Sequence, residues 1–213
     1  MLQSLFTPDV LRQLQHKLES TELGQTGKRV LGQPGGAMRL EHRQLTVLHV
    51  ESPQILERAS AARFHEELEW LCDCNLGQLE PSQPGTAVAV FQQPQTALLT
   101  AIALQRACSD LRLRIGLASG PCSVAVFDDD VRWPAIALGP SVEQAAACAR
   151  HASEGSILVA PDTYRHLDAA IGEHAGECVL TEEFYGSELA RVSITPAPAP
   201  SAELSSFAGL GLV

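Results

Sequence analysis

Composition and charge limit what this 213-residue chain can be. Hydrophobic residues make up 45% of it and the mean hydropathy is +0.03, so a buried core is expected and disorder throughout is excluded. The 15 basic and 25 acidic residues give a formal net charge of −10, which argues against nucleic acid or an anionic membrane as a partner. No run of about 18 apolar residues occurs, so we expect no membrane-spanning helix.

Leader and cysteine patterns favour a reducing compartment. The first nine residues lack a cationic start followed by an apolar run, so we expect no signal peptide and a cytoplasmic location. The six cysteines are therefore expected to be free thiols rather than three disulfides. Cys72 and Cys74 are separated by one residue, a spacing too short for a zinc-binding pair, and no second pair follows.

The distribution of charge is uneven. Both lysines, Lys17 and Lys28, lie in the first 44 residues, and no lysine follows Arg29. Residues 45–213 carry nine basic and 21 acidic side chains, a net charge of −12. A surface with this charge would repel a polyanion or a triphosphate.

Hydrophobic periodicity predicts alternating strands and helices. Thr7 and Pro8 begin a helix whose apolar stripe includes Leu14, and Ser52-Pro53 begins a second helix that ends near Cys72. Further helices are predicted at residues 95–108, 141–150 and 161–167. Strands are predicted at residues 45–50, 86–91, 111–117, 123–127, 156–160, 176–181 and 189–194, the fourth pairing back with the third after Gly120-Pro121. The pattern indicates an α+β or α/β domain, a sheet covered by helices on one face.

Four stretches resemble the motifs of a known family. Residues 45–51 read LTVLHVE, 87–91 read AVAVF and 113–121 read LRIGLASGP, while 139–147 (GPSVEQAAA) and 155–164 (GSILVAPDTY) form the fourth. In order and spacing they resemble the class III nucleotidyl cyclase homology domain, whose motifs include V-T-V-L-F-A-D and V-R-I-G-I-H-T-G-P. The resemblance implies an α+β fold with a ferredoxin-like, cyclase-type sheet and helices packed mainly on one face. It places an N-terminal helix and linker at 1–43, the cyclase homology domain at 44–195, and a Pro/Ala linker with an apolar tail at 196–213.

The resemblance also implies where catalytic groups would stand. In the family two metal-binding aspartates activate the 3′-oxygen and hold the triphosphate, and an arginine neutralises charge that develops near the phosphates. The first aspartate falls at Glu51 and the second at Gly85 or Thr86. The remaining family positions are the base-selecting lysine near Pro81, its polar companion near Ile136, the asparagine at Glu143 and the arginine at Ala147.

These replacements predict an inactive domain without metal or other cofactor, since one carboxylate at Glu51, a weak metal candidate, cannot hold two cations. The leading hypothesis is therefore a cytosolic signalling or protein-interaction module, acting as a homodimer or with a signalling protein. Two alternatives stay open: a non-catalytic sensor of a nucleotide or small molecule, and a divergent active cyclase that makes cAMP or cGMP.

Several other residues allow more than one interpretation. Asp128–Asp130 can be a solvated acidic turn or a metal site, and His49 a packed core histidine or a ligand. Arg112 and Arg114 can pair with nearby carboxylates or grip an anion, and Arg150 could substitute for the lost arginine. Partner contacts are proposed at Trp133, in a loop-like stretch, and at Phe207, Leu210 and Leu212 of the C-terminal tail, which could equally be a frayed end.

Overall fold

An eight-stranded sheet organises the chain. The computed structural model describes residues 8, 12–14, 16–17, 37–52, 58–80, 85–128, 136–173, 178–185 and 188–196. The strands are β1 (Ala37–Glu51), β2 (Gln78–Leu79), β3 (Thr86–Phe91), β4 (Arg114–Asp128), β5 (Ile136–Leu138), β6 (Ile157–Val159), β7 (Cys178–Tyr185) and β8 (Glu188–Pro196). Their order is β2-β3-β1-β4-β6-β8-β7, with β5 added along β4. Only the β4–β6 pair is parallel among these described strands.

Three of the four long helices in the described ranges cover one face of the sheet. The helices are α1 (Arg58–Cys74), α2 (Pro94–Ala107), α3 (Pro140–His151) and α4 (Pro161–Glu173). Apolar side chains of α1, α2 and α4 form one buried cluster with Leu48 and Ile115 of the central strands. Because side chains alternate along a strand, Val47 and Val124 point to the other face, where they pack with α3. We call this second side the α3 face. The expected α+β architecture with helices mainly on one face is confirmed.

A glycine lets α3 lie directly on the sheet. A Cβ atom on Gly116 of β4 would be 2.0 Å from the carbonyl oxygen of Ala145 and 2.4 Å from the nitrogen of Ala149. Real Cβ contacts are not this short, so only a residue without a side chain fits there. Gly120, four residues on, faces Ser141 near the start of the helix, so α3 runs antiparallel to β4.

The predicted strand at 111–117 is wrong in its first three residues. Leu111 ends a short 3-10 helix (Ser109–Leu111), Arg112 has a left-handed φ of 46°, and β4 begins at Arg114. The alternating leucines do face the core, since Leu111 and Leu113 are both buried. Buried Gln105 of α2 donates its amide to the carbonyl oxygen of Leu113 at 2.8 Å. The alternation therefore predicted burial correctly, but the Gln105 side chain and the N–H of Gly155, at 3.0 Å, satisfy this carbonyl instead of a neighbouring strand.

The predicted hairpin after Gly120-Pro121 is also wrong. Residues 114–128 form one continuous strand that pairs with β1 along its whole length. Pro121 lies opposite Gln44, at a point where β1 is the one described neighbour of β4, because β6 pairs with residues 115–117 and β5 with 123–125. A proline without an N–H group is tolerated where one side of the strand has no partner. The other predicted helices and strands lie close to the described elements, except that the predicted helix starts at Thr7 and Pro53 lie outside the described residues. Among the described helices we find none with the length and apolar character of a membrane span.

Candidate functional site

The structure brings Glu51 together with Gly85 and Thr86. Glu51 ends β1 and stands opposite Thr86 of β3 and Arg114 of β4. The N–H of Ser52 donates to the carbonyl oxygen of Gly85 at 2.8 Å, and Gly85 adopts a φ of +84°, which favours glycine. This end of the sheet therefore offers one carboxylate, a glycine and a hydroxyl, with the Glu51 side chain 26% exposed.

His49 lies beside Glu51 on the α3 face. Its Nε2 is 3.4 Å from Glu51 Oε1, and its buried Nδ1 has no hydrogen-bond partner among the described residues. Burial, together with the positive charges of Lys17 and Arg150, lowers the pKa of His49 from 6.5 to about 4. The imidazole is therefore neutral at pH 7, so its contact with Glu51 is not an ion pair. A packed histidine fits this environment.

The two positions of α3 at which the resemblance expects an asparagine and an arginine carry neither an amide nor a guanidinium. Glu143, in the first turn, is exposed and its Oε1 accepts a 2.5 Å hydrogen bond from Gln13 Nε2, while Ala147 lies one turn later. Ile136 of β5 is buried, and Arg150 is exposed in the last turn of α3. Glu143 places a negative charge where the resemblance expects a neutral ligand of the nucleotide.

A buried carboxylate that the sequence patterns did not single out, that of Glu80, lies against β5. Glu80, directly after β2, is 3% exposed, and its Oε1 accepts a 2.5 Å hydrogen bond from the N–H of Ala137 in β5. Lys17 donates to Glu80 Oε2 at 2.6 Å and to the carbonyl oxygen of Ala137 at 2.9 Å. Burial raises the pKa of Glu80, and the charge of Lys17 opposes that rise. The sequence held one signal: Glu80 is the only charged residue between Asp73 and Arg106.

The donor set does not fit the two divalent cations that the family resemblance implies. Such cations take six or more oxygen ligands, with carboxylates prominent among them. Glu51 supplies one carboxylate, and Gly85 and Thr86 supply none. In the described ranges no group of three or more His, Cys, Asp or Glu side chains is arranged to hold a metal.

Other expected residues divide into those the structure places and those outside the described ranges. Arg112 and Arg114 both approach Glu154, each with a 3.5 Å nitrogen–oxygen distance, so they pair with a carboxylate. The five cysteines with described side chains are free thiols: Cys72, Cys74, Cys108, Cys122 and Cys148. Seven of the residues singled out from the sequence lie outside the described ranges: Pro81, Asp129, Asp130, Trp133, Phe207, Leu210 and Leu212. The side chain of Asp128 is not described either.

Solved structures share this arrangement of strands and helices. The adenylyl cyclase CyaB from P. aeruginosa matches with a TM-score of 0.59 and 17% identity, over 76% of this chain and 98% of that one. The chain has the nucleotidyl cyclase fold. The dimeric guanylyl cyclase domain of the RhoGC fusion protein from Blastocladiella emersonii matches at 0.58 and 13% identity, over 76% of this chain and 100% of its own.

A third cyclase domain was solved with nucleotide. The guanylate cyclase domain of RhGC from Catenaria anguillulae, in complex with GTP, matches at 0.57 and 14% identity, over 72% of this chain and 97% of its own. No protein-family model and no curated protein matches the chain. At these identities the cyclase similarity establishes the fold, and the side chains must decide the chemistry.

Proposed function

We propose that this chain is a non-catalytic cyclase-fold module that works by pairing with another protein chain in signalling. The observation that carries the proposal is the strand end where Glu51 meets Gly85 and Thr86. One carboxylate stands there, and its neighbour on the same strand face is the neutral His49. A phosphoryl-transfer reaction driven by two cations has no second anchor at this place.

The charges on α3 support the same conclusion. Glu143 is negative, Ala147 has no functional group, and the chain from residue 45 onwards has a net charge of −12. Charge that develops on a transferring phosphate is stabilised by cations and by N–H donors. The exposed carboxylate of Glu143 would instead repel a triphosphate.

Direct assay for cyclic nucleotides tests the catalytic half of the proposal. The full chain is incubated with ATP or GTP and Mn²⁺, with the P. aeruginosa enzyme as a positive control. We expect no product above the protein-free blank. Product formation by wild type that disappears in Glu51→Ala would establish a divergent active cyclase.

Pairing is the positive half of the proposal. One fungal guanylyl cyclase domain among the solved neighbours is named as dimeric in one structure and monomeric in another. We propose a second copy of this chain as the first partner to test, by sedimentation equilibrium across a hundredfold range of concentration. A purely monomeric distribution would exclude self-pairing and leave a different signalling protein as the partner.

A groove favours a second candidate function, the binding of a small molecule without turnover. The groove has a volume of about 400 Å³, within the range of small-molecule sites, and its described lining includes Thr46, Gln95, Ser119 and His166. These side chains suit a polar ligand. Calorimetry against a nucleotide panel, with wild type and Ser119→Val, tests this function. Equal heats from both proteins, or none, would contradict a ligand in the groove.

A further inference from the structure

The N-terminal segment, here residues 12–14 and 16–17, reaches across to the corner formed by β5 and the start of α3. Gln13 and Lys17 are four residues apart in a helical stretch, so both point to the same side. Lys17 inserts between Glu80 and Ala137, with distances of 2.6 and 2.9 Å. The segment thus contacts residues that follow it by 63 to 130 positions.

Gln13 makes a second, independent connection. Its Oε1 accepts the N–H of Gly139 at 2.8 Å, and its Nε2 donates to Glu143 Oε1. Gly139 is the N-cap of α3 and has no side chain of its own to bond there. Gln13, from a distant part of the chain, binds the N–H of this N-cap residue and the side chain of Glu143 in the first turn.

Among the described residues of the segment, the contacts with the rest of the chain are mostly polar. Leu14 is buried, whereas Arg12 and His16 are exposed, and Gln13 and Lys17 make hydrogen bonds. Of these described residues, one buries an apolar side chain, far fewer than the many that hold the sheet to its helices. Segments with few buried apolar contacts open at lower free energy than the core.

Lys17 has a particular role because Glu80 is buried. An ionised carboxylate without a partner is costly in a low-dielectric environment, and removal of one member of a buried pair leaves that cost unbalanced. The seated segment compensates the charge of Glu80. In return, Glu80 and Ala137 accept two hydrogen bonds from the Lys17 ammonium.

We propose that the N-terminal segment is a displaceable cover that closes the β5–α3 corner in the same chain, held there by the Lys17–Glu80 pair. The covered corner carries Ala137, Gly139 and Glu143, so opening the segment uncovers that part of the α3 face. The proposal rests on the proposed function only for what the cover regulates, namely access of a partner chain to that corner.

Hydrogen exchange measured by NMR on the full chain tests the cover. In wild type the amide of Gly139 exchanges at least about tenfold faster than those of Val47 and Leu48 in β1, because it needs only local opening. In Lys17→Met its exchange is about tenfold faster again, while the β1 amides keep their rates. His16→Ala, an exposed neighbour, is the matched control and leaves Gly139 unchanged. Equal exchange of Gly139 and the β1 amides in wild type would show that the segment is part of the core and would overturn the proposal.

The double variant Lys17→Met/Glu80→Gln guards against loss of folding. Glutamine removes the buried charge and its amide oxygen still accepts the N–H of Ala137, so exchange of Gly139 returns to within about threefold of wild type. Slow exchange in Lys17→Met, or equally fast exchange in both variants, would overturn the role of the charge pair. Sedimentation of the same proteins separates the two proposals: if none of them associates, self-pairing fails, whereas the exchange rates still decide the cover.

Discussion

Substitution of Gly116 by alanine should push α3 away from the sheet. The added Cβ would meet the carbonyl oxygen of Ala145 at 2.0 Å and the nitrogen of Ala149 at 2.4 Å. Both are backbone atoms of a continuous helix, so neither can rotate aside. To reach the 3.4 Å at which ordinary contact begins, helix and strand must separate by about 1.4 Å.

The cost follows from the packing that this separation loosens. Val142 and Ala145 pack against the sheet on the α3 face, and a gap of this size forfeits much of their dispersion energy. Overpacking a core costs typically about 1–3 kcal/mol, and rigid backbone on the opposing side puts Gly116→Ala at the upper end, about 3 kcal/mol. For a domain of this size that corresponds to a fall in Tm of about 6–12 °C.

Urea denaturation followed by circular dichroism measures the effect, with Gly120→Ala as the matched control. Gly120 lies in the same strand, but the nearest atom to its added Cβ is the Ser141 hydroxyl at 2.5 Å, which can rotate away. We expect the control to cost about 0–1 kcal/mol. If Gly116→Ala falls within 1 kcal/mol of wild type at an unchanged m-value, α3 does not rest on Gly116 as argued.

Three further measurements address strain, pH and thiol chemistry. Leu76 is 89% exposed with a left-handed φ of 55°, so Leu76→Gly should raise the free energy of unfolding by about 0.5–1 kcal/mol in urea titrations. The pKa of His49 is about 4 in the folded chain and 6.5, the ordinary value, in the unfolded chain. Between these two pH values the unfolded chain therefore binds the proton more readily than the folded chain. Stability present above pH 6.5 is then lost as the pH falls towards 4, by about 3 kcal/mol in total. Burial raises the pKa of the Cys72 thiol to about 12, so iodoacetamide at pH 8 should alkylate exposed Cys74 more than about tenfold faster, by peptide mass spectrometry.

Each of these expectations has a result that contradicts it. A destabilised Leu76→Gly protein would show that the leucine makes a favourable contact at this turn. His49→Gln should lose the pH dependence assigned to the imidazole, so an unchanged profile would assign it to other groups. Comparable alkylation of Cys72 and Cys74 in the native protein would mean that α1 opens readily at its C-terminal end.

Sequence patterns predicted the elements that form apolar runs. The runs at 45–50, 86–91 and after Gln93 predicted two strands and a helix, and the structure has all three, although β1 begins at Ala37, eight residues before the predicted start. The pattern failed at Arg112, where the backbone is left-handed rather than extended. The carbonyl oxygen of Leu113 beside it accepts hydrogen bonds from the Gln105 amide and from the N–H of Gly155 rather than from a neighbouring strand. Periodicity contains no information about such partners.

The candidate site was predicted in part. The meeting of Glu51 with Gly85 and Thr86 was expected from the resemblance and is present in the strand register. The contacts of Glu80 were missed because turn composition around it indicated an exposed loop. Only the three-dimensional fold brings Lys17 and Ala137 to that carboxylate, 63 and 57 residues away in the chain.

The cover also constrains the order in which the chain can acquire its structure. Gln13 leaves the ribosome long before the residues that bind it, since Gly139 and Glu143 are 126 and 130 positions later. At about 5–20 residues per second, synthesis of that interval takes roughly 6–25 s, during which the segment has no native binding site. The segment can therefore dock only after Glu143 has been made, and the corner that it closes is open while β1, β3 and β4 are already available to pair.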